Sequence, residues 1–311
     1  MTAILQNPIF QDDNLAREWL EARVWANGRP CPHCGVMDKS TALKGKAHRP
    51  GVYQCNACRE QFTVTVNTIF ERSKIPLSKW LAALFLMVSS KKGVSAHQVH
   101  RMLGISYKST WFMMHRLREA MRSGDLSPLG GEGQIVEVDE TYIGKKEGAQ
   151  VKQGASHKHA ILSLVERGGS VRSFHVDSVK KEEIAPILNA NIARETHIMT
   201  DDAFRYRGLA KKFAKHDAVR HSCGEYGHTD EETGTKINTN TIEGYYSIFK
   251  RGMKGIYQHC SEKHLHRYVA EFDFRYSNRS ALGCEDAERA DRLVSGIVGK
   301  RLTYRRVGET A

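Results

Sequence analysis

Two pairs of cysteines stand out as candidate metal ligands. CPHC at 31–34 and CNAC at 55–58 give the spacing C-x2-C-x20-C-x2-C. Each C-x2-C turn aims two sulfurs at one ion, and two such turns complete a closed tetrahedral Zn²⁺ site. A closed site leaves no open position for catalysis, so we predict a structural zinc. Its four ligands are Cys31, Cys34, Cys55 and Cys58.

A second group of chemically informative residues consists of carboxylates. Asp139 interrupts the apolar run IVEVDETYIG, where a buried charge is costly unless it is paired or binds metal. Glu137 is expected on the same strand face. Asp201 ends the short apolar run HIMT, and Glu243 lies in the helical run TNTIEGYYSIFKR. Carboxylates at strand ends are suited to hard cations such as Mg²⁺.

Three converging carboxylates predict phosphoryl-transfer chemistry. Asp139, Asp201 and Glu243 could hold two ions that clamp the attacking and leaving oxygens of a phosphodiester. Lys250 follows Glu243 by seven residues, almost two helical turns, so both side chains share one face. We expect Lys250 to neutralise a DNA phosphate, with Arg251 beside it.

The run GVSAHQVHRMLGISYKSTWFMMHRLREAM at 93–121 has helix-turn-helix spacing. A helix over 94–103 is followed by a turn at 104–106, and Ser106 is expected to cap the next helix. The first residues of that helix would meet base edges, and they are Tyr107, Lys108, Ser109 and Thr110. A helical core that simply buries Trp111, Met114 and Leu117 is compatible with this role.

The remaining elements predict an α/β fold. After the turn-rich segment DLSPLGGEGQ at 125–134, short β-branched runs at 134–144, 159–167, 171–177, 196–201 and 217–222 indicate strands. Runs at 181–193, 204–214 and 239–280 indicate helices. The order β-β-β-α-β-α-β-α-α predicts a mixed sheet covered by helices.

The charge composition of the chain indicates which class of molecule it binds. The net charge of +12 and the pI near 9.4 favour a polyanion, first of all nucleic acid. The longest apolar run, at 80–88, is too short to cross a membrane, and no secretory signal is recognisable. Paired cysteines without such a signal indicate metal binding in a reducing cytoplasm.

Four blocks of the sequence together resemble bacterial insertion-sequence transposases. They are CPHCG…YQCNACREQFTVTVNTIFERSKIPLSKW, VDETYIGKK, TDDAFRY and NTNTIEGYYSIFKRGMKGIYQHCSEKHLHRYVAEFDFRYSNR. The group that they resemble combines a zinc ribbon, a helix-turn-helix and a DDE domain of the ribonuclease-H-like fold. The resemblance extends from about residue 15 to about residue 280.

This resemblance implies a metal-dependent DNA transposase. Such an enzyme cleaves a strand at the terminal inverted repeats of its element and joins the 3′-OH to target DNA, with Mg²⁺ or Mn²⁺ as cofactor. Asp139, Asp201 and Glu243 would form the triad. The third residue of this group is either Glu or Asn, so Asn240 is the alternative to Glu243. Asp202 is likewise the alternative to Asp201.

The resemblance also implies a domain order and an assembly. We expect a helix and zinc ribbon over 1–70, a helix-turn-helix over 71–126, a catalytic domain over 127–285 and a basic tail over 286–311. By analogy, the protein acts as a homo-oligomer on double-stranded DNA, in the cytoplasm and associated with the nucleoid.

Two other functions stay open at this stage. A DNA-binding regulator derived from a transposase would keep the zinc ribbon and the helix-turn-helix without strand transfer. A nuclease without joining activity would use the same carboxylates. A metal site made of His221, Cys223 and His228 is disfavoured by its irregular spacing.

Overall fold

The computed structural model describes residues 6–122, 124, 127–201, 204–206, 208 and 211–303. The chain divides into two compact units. The first unit combines Met1–Arg122 with Glu285–Ala311, and the second is Ser123–Cys284. Within the described residues, none of the helices is both long and apolar enough to span a membrane.

The first unit begins with a helix and a small sheet. After a 3₁₀ turn at Pro8–Phe10, helix α1 (Asp13–Val24) is capped by the Asp12 carboxylate, which accepts from the N–H groups of Asn14 and Leu15. The antiparallel sheet has the order β1-β2-β3, with strands β1 (Ser40–Ala42), β2 (Tyr53–Cys55) and β3 (Gln61–Phe62). Cys31 and Cys34 precede β1, whereas Cys55 ends β2 and Cys58 lies in the turn between β2 and β3.

Three further helices fill the rest of this part of the chain. They are α2 (Leu77–Ser89), α3 (Ala96–Leu103) and α4 (Tyr107–Met121). Helix α3 ends at Gly104, which adopts a left-handed conformation with φ of 60° and so allows the sharp turn into α4. The hydroxyl of Ser106 accepts from the N–H of Ser109, which confirms the predicted cap.

The second unit is built on a five-stranded mixed sheet of order β6-β5-β4-β7-β8. Strands β4, β5 and β6 are antiparallel neighbours, whereas β7 and β8 run parallel to β4. This topology and the flanking helices confirm the ribonuclease-H-like fold class. The strands are β4 (Ile135–Ile143), β5 (His159–Glu166), β6 (Val171–Val176), β7 (His197–Asp201) and β8 (Lys215–Val219).

Alternation along the strands gives each face of the sheet its own core. Val136, Val138 and Leu162 pack with helix α5 (Lys181–Asn191) on one face. Residues of the other parity, such as Ile161, pack against helices α6 (Asn240–Gly252) and α7 (Glu262–Ser277). The face that carries Glu137 and Asp139 is therefore the α6 and α7 face.

Short elements join the main ones in the second unit. A two-stranded sheet pairs β9 (His228–Thr229) with β10 (Lys236–Ile237), and a π-helical segment at Met253–Tyr257 extends α6. The helix predicted over 204–214 is wrong, because Phe204–Tyr206 forms a 3₁₀ turn and residues 211–214 are not α-helical. Residues 207, 209 and 210 lie outside the described part of the chain. Other 3₁₀ turns occur at His221–Cys223 and Ser280–Leu282.

The segment expected to be a basic tail instead contains a packed helix, α8 (Asp286–Ser295). Its buried Ala290, Leu293 and Val294 belong to the core of the first unit, where α8 contacts α1 and α2. The Arg289 guanidinium also donates to the carbonyl of Val88 at 3.0 Å. Burial of its apolar face explains why α8 packs against α1 and α2 and is not an extended tail. Residues 304–311 lie outside the described part of the chain.

Candidate functional site

The four predicted cysteines form one compact cluster. All four sulfurs lie within 4.8 Å of one another, with 3.6 Å between Cys31 and Cys58 and 3.7 Å between Cys34 and Cys55. Tetrahedral Zn²⁺ with Zn–S bonds of about 2.3 Å separates its sulfurs by about 3.8 Å. The residues therefore fit a structural zinc ion.

The backbone of each cysteine pair supports the same conclusion. The Cys31 carbonyl accepts from the N–H of Gly35 at 2.8 Å, and the Cys55 carbonyl accepts from the N–H of Arg59 at 3.0 Å. Hydrogen bonds from the backbone N–H groups of Cys58 and Ala57 lower the pKa of the Cys55 thiol to about 6. A lowered pKa favours the thiolate, which is the form that binds zinc.

The carboxylates come from three separate elements of the second unit. Asp139 lies in the middle of β4, Asp201 ends β7, and Glu243 lies in the first turn of α6. Burial, together with the negative charges of Asp201 and Glu243, raises the pKa of Asp139 to about 7. The positive charges of His221 and Lys250 act in the opposite direction. The charges of the other four side chains thus all act on the carboxylate of Asp139.

A cation would relieve the repulsion among these three carboxylates. Their oxygen-only donor set is the kind that Mg²⁺ and Mn²⁺ prefer, so the residues present fit a hard divalent ion. Among the described residues, two groups bring three or more ligand atoms within 4.8 Å of one another, and the three carboxylates are not one of them. The ligand atoms of the three carboxylates are therefore spaced more widely than those of a closed site for a single ion.

A buried carboxylate fastens the helix that carries Glu243 to the strand that carries Asp139. Glu137 is fully buried and accepts from the backbone N–H of Ile242 and from the hydroxyl of Thr241, both at 2.9 Å. These donors belong to the first turn of α6, where N–H groups lack partners within the helix. The carboxylate of Glu137 therefore caps α6 from the neighbouring strand, and we call this contact the β4–α6 joint.

Arg167 completes the β4–α6 joint. Its guanidinium donates to Glu137 at 2.6 Å, and it also donates to the carbonyls of Lys236 and Asn238 at 2.7 and 2.8 Å. One arginine thus pairs the buried charge and holds the loop that leads into α6. Neither Arg167 nor the capping role of Glu137 was predicted, because pairing between residues so far apart leaves no local pattern in the sequence.

Other contacts fix the backbone and side chains around Asp139. The Tyr246 hydroxyl donates to the Asp139 carbonyl at 2.6 Å, so this tyrosine ties α6 to β4 a second time. Glu140 points to the opposite face, where the Tyr206 hydroxyl donates to it at 2.7 Å and Arg205 forms an ion pair with it. Tyr245 and Tyr246 are both buried.

The two alternatives for the third carboxylate position differ in their surroundings. The Thr239 hydroxyl donates to Glu243 at 3.0 Å, and the Nε2 atom of His221 lies 3.7 Å from the same Glu243 oxygen. Asn240 is exposed, and its backbone N–H donates to the side chain of Asn238. The charge of Glu243 acts on Asp139, whereas the amide of Asn240 is neutral. Asp202 lies outside the described residues.

His221 is a neighbour of the carboxylates that the sequence did not single out in this role. The metal site with Cys223 and His228, which its irregular spacing disfavours, is not among the metal-compatible groups of the described residues. His228 instead lies 2.5 Å from Glu225. The Lys250 ammonium lies 6.0 Å from the centre of the Tyr246 ring, on the α6 face predicted for it, and Arg251 is exposed.

The start of α4 presents three of the four predicted DNA-contacting residues to solvent. Tyr107, Lys108 and Ser109 are exposed, and the Tyr107 ring stacks on His97 with 4.2 Å between ring centres. Thr110 is a correction, because its side chain is fully buried and its hydroxyl donates to the Ser106 carbonyl at 3.0 Å. It therefore faces the helical core and not a base edge. Met114 and Leu117 are buried, and Trp111 is half-buried.

The cysteine cluster predicts that zinc is needed for folding of the first unit's sheet. Cys55→Ser removes one of four ligands, and we expect the variant to lose one zinc ion per chain. Elemental analysis of the purified protein measures this loss. Cys223→Ser is the matched control, because Cys223 is exposed and outside the cluster. Equal zinc content in the two variants would contradict the assignment.

The β4–α6 joint predicts a large energetic effect for a small substitution. Glu137→Gln keeps the shape but removes the charge that pairs Arg167 and caps α6. We expect the free energy of unfolding to fall by about 2–3 kcal/mol, the range for hydrogen bonds to charged groups. Urea unfolding of the full chain measures it. Glu182→Gln, at an exposed position of α5, should change the value by less than about 0.5 kcal/mol. Equal stabilities of these variants would contradict the joint.

Comparison with known proteins gives two family matches. The model described as ISXO2-like transposase domain matches residues 128–277, and the model described as transposase zinc-ribbon domain matches residues 11–61. Together they cover about two thirds of the chain. The first match contains all three carboxylates and the β4–α6 joint, whereas the second contains the four cysteines.

One relative and one solved structure add to these matches. The relative is described as an uncharacterized protein in transposable element ISH50 of Halobacterium salinarum (strain ATCC 700922 / JCM 11081 / NRC-1). It is 25% identical over 285 residues, which cover 86% of this chain and 91% of that protein.

The solved structure is a simian T-cell lymphotropic virus intasome in complex with PP2A regulatory subunit B56 gamma. It is 13% identical with a TM-score of 0.28, and the match covers 56% of this chain and 63% of that one, less than two thirds of its length. That TM-score is too low to bear on the fold. The two matches, in this order along one chain, identify a transposase zinc-ribbon domain and an ISXO2-like transposase domain in this protein.

Proposed function

We propose that the protein cleaves DNA at the ends of its insertion element and transfers the 3′-OH into target DNA. The observation that carries this proposal is the electrostatic coupling of Asp139 to Asp201 and Glu243 within the segment that matches a transposase domain. Three carboxylates from different elements around one buried position are costly to fold unless they serve a cation. A regulator that only binds DNA has no use for such a set.

In this proposal, Asp139, Asp201 and Glu243 hold Mg²⁺ or Mn²⁺. The bound metal would supply Lewis-acid activation of the phosphodiester and of the attacking oxygen. Asp139 is the half-buried anchor of the set, because its position in the middle of β4 is held by pairing with Ser163 of β5. Thr239 and the β4–α6 joint orient Glu243 toward it.

Basic groups have a separate task in the proposal. Lys250 follows Glu243 by almost two turns of α6, and its charge already acts on Asp139. We assign it to a phosphate next to the scissile one, with Arg251 following it on the exposed surface of the helix. These contacts position DNA without reading its sequence.

We assign recognition of the element ends to α4 of the first unit. Helices α3 and α4 are joined by the three-residue turn at 104–106, and Tyr107, Lys108 and Ser109 are exposed at the start of α4. This is the end of a recognition helix that meets base edges in helix-turn-helix proteins. Thr110 is left out of this assignment because it is buried. The net charge of +12 favours DNA as the partner.

The catalytic assignment is tested with the full chain, Mg²⁺ and duplexes that carry the element's terminal inverted repeats. We expect the wild type to nick and join these ends. Asp139→Asn and Glu243→Gln should each lower the rate at least about 100-fold, because each removes a charge from the metal site. End binding in a gel-shift experiment should stay close to wild type. Glu182→Gln is the matched carboxylate-to-amide control on the opposite face of the sheet.

Two outcomes would contradict parts of this proposal. If the wild type binds the ends but neither nicks nor joins them, the protein is a DNA-binding regulator. If Asn240→Ala loses activity while Glu243→Gln keeps it, Asn240 is the third residue and the assignment of Glu243 is wrong. Full activity of Asp139→Asn would remove Asp139 from the site.

A further inference from the structure

Two histidines and a glutamate form a separate cluster at one end of the sheet. His159 is the first residue of β5, His175 lies in β6, and Glu262 is the first residue of α7. His175 pairs with Ile161, two residues after His159, so both imidazoles lie on the face covered by α6 and α7. None of the three belongs to the carboxylate set or to the zinc cysteines.

The geometry of this cluster is that of ligands and not of a hydrogen-bonded group. The Nδ1 atom of His159 and the Nε2 atom of His175 lie 3.7 and 3.9 Å from the same oxygen of Glu262. All three ligand atoms fall within 4.8 Å of one another. Distances of 3.7 Å and more are too long for hydrogen bonds, but they leave a space between the three atoms in which an ion could lie.

The Nδ1 atom of His159 and the Nε2 atom of His175 are both buried without a hydrogen-bond partner among the described residues. His159 is 4% exposed, so water has little access to it. A buried polar atom without a partner costs about 1–3 kcal/mol, and two of them facing one carboxylate are hard to explain as packing. A metal ion in the space between them would satisfy both nitrogens and the carboxylate together.

We propose that His159, His175 and Glu262 form a metal site for a divalent transition ion such as Zn²⁺. Two imidazoles and one carboxylate suit zinc and its neighbours, whereas Mg²⁺ prefers oxygen ligands alone. Ligand atoms of a tetrahedral zinc ion lie about 3.4 Å apart, given bonds of about 2.1 Å. The side chain of Glu262 is half exposed and can move the few tenths of an ångström that closure requires.

The position of the site indicates what the ion does. Its ligands come from β5, β6 and the first residue of α7, so a bound ion clips the beginning of α7 to the sheet. Helix α7 contributes Leu265 and Phe272 to the core that also contains Phe249 of α6. The ion therefore stabilises the two-helix layer on which Glu243 is carried. Three protein ligands leave the fourth position for water.

Zinc binding by the full chain tests this proposal without DNA or catalysis. We expect the wild type to bind two Zn²⁺ per chain at saturation, one at the cysteines and one at the new site. His175→Ala should bind one, and Glu262→Gln should hold its second ion at least about 10-fold more weakly. His228→Ala, which removes an exposed histidine of the same unit, should still bind two. Dialysis against Zn²⁺ followed by elemental analysis gives these numbers.

A spectroscopic measurement separates the two sites. Co²⁺ at the cysteines gives sulfur-to-metal charge-transfer absorption, whereas Co²⁺ at the new site does not. We expect Glu262→Gln to weaken only the Co²⁺ absorption of the new site, which lacks sulfur-to-metal charge transfer. Because the Glu262 side chain is half exposed, we expect this variant to keep its fold. A wild type that saturates with one zinc ion, or a Glu262→Gln protein with unchanged affinity for two, would overturn the proposal. Neither result would affect the proposed strand transfer.

Discussion

The fold of the second unit depends on one buried charge, the carboxylate of Glu137. A helix begins with N–H groups that have no partner within it, and α6 has no side-chain cap from its own N-cap residue Thr239. Glu137 supplies the missing acceptor from β4, and Arg167 compensates its charge. Because Asp139 lies two residues further along β4, the contact that caps α6 also sets where Glu243 stands relative to Asp139.

The chain uses three donor sets that call for different cations. Four sulfurs at 3.6–3.7 Å pair separations fit a structural zinc, three carboxylates fit a hard cation, and two imidazoles with a carboxylate fit a transition ion. Each set spans elements that are distant in sequence, so a bound ion would hold those elements together. The carboxylate set differs from the others because its half-buried member, Asp139, has its pKa raised to about 7 by partial burial and by its acidic neighbours.

Local patterns predicted the elements and the residue types but not the contacts between them. Cysteine spacing, strand alternation and the Ser106 cap are short-range signals, and the structure agrees with each of them. Arg167, Thr241 and the neighbourhood of His221 are long-range contacts that no periodicity reveals. Thr110 was misplaced because helical spacing alone did not show which side of α4 is buried. The packing of α8 was not predicted, because most of its residues are polar or charged and only a narrow face of the helix is apolar.

We propose that the β4–α6 joint brings Glu243 to the same cation as Asp139 and Asp201. Anomalous scattering from crystals of the full chain soaked in Mn²⁺ would locate that cation. We expect manganese peaks coordinated by oxygens of Asp139, Asp201 and Glu243. A peak coordinated by Asn240 in place of Glu243, or no peak next to Asp139 in crystals that hold Mn²⁺ elsewhere, would contradict it.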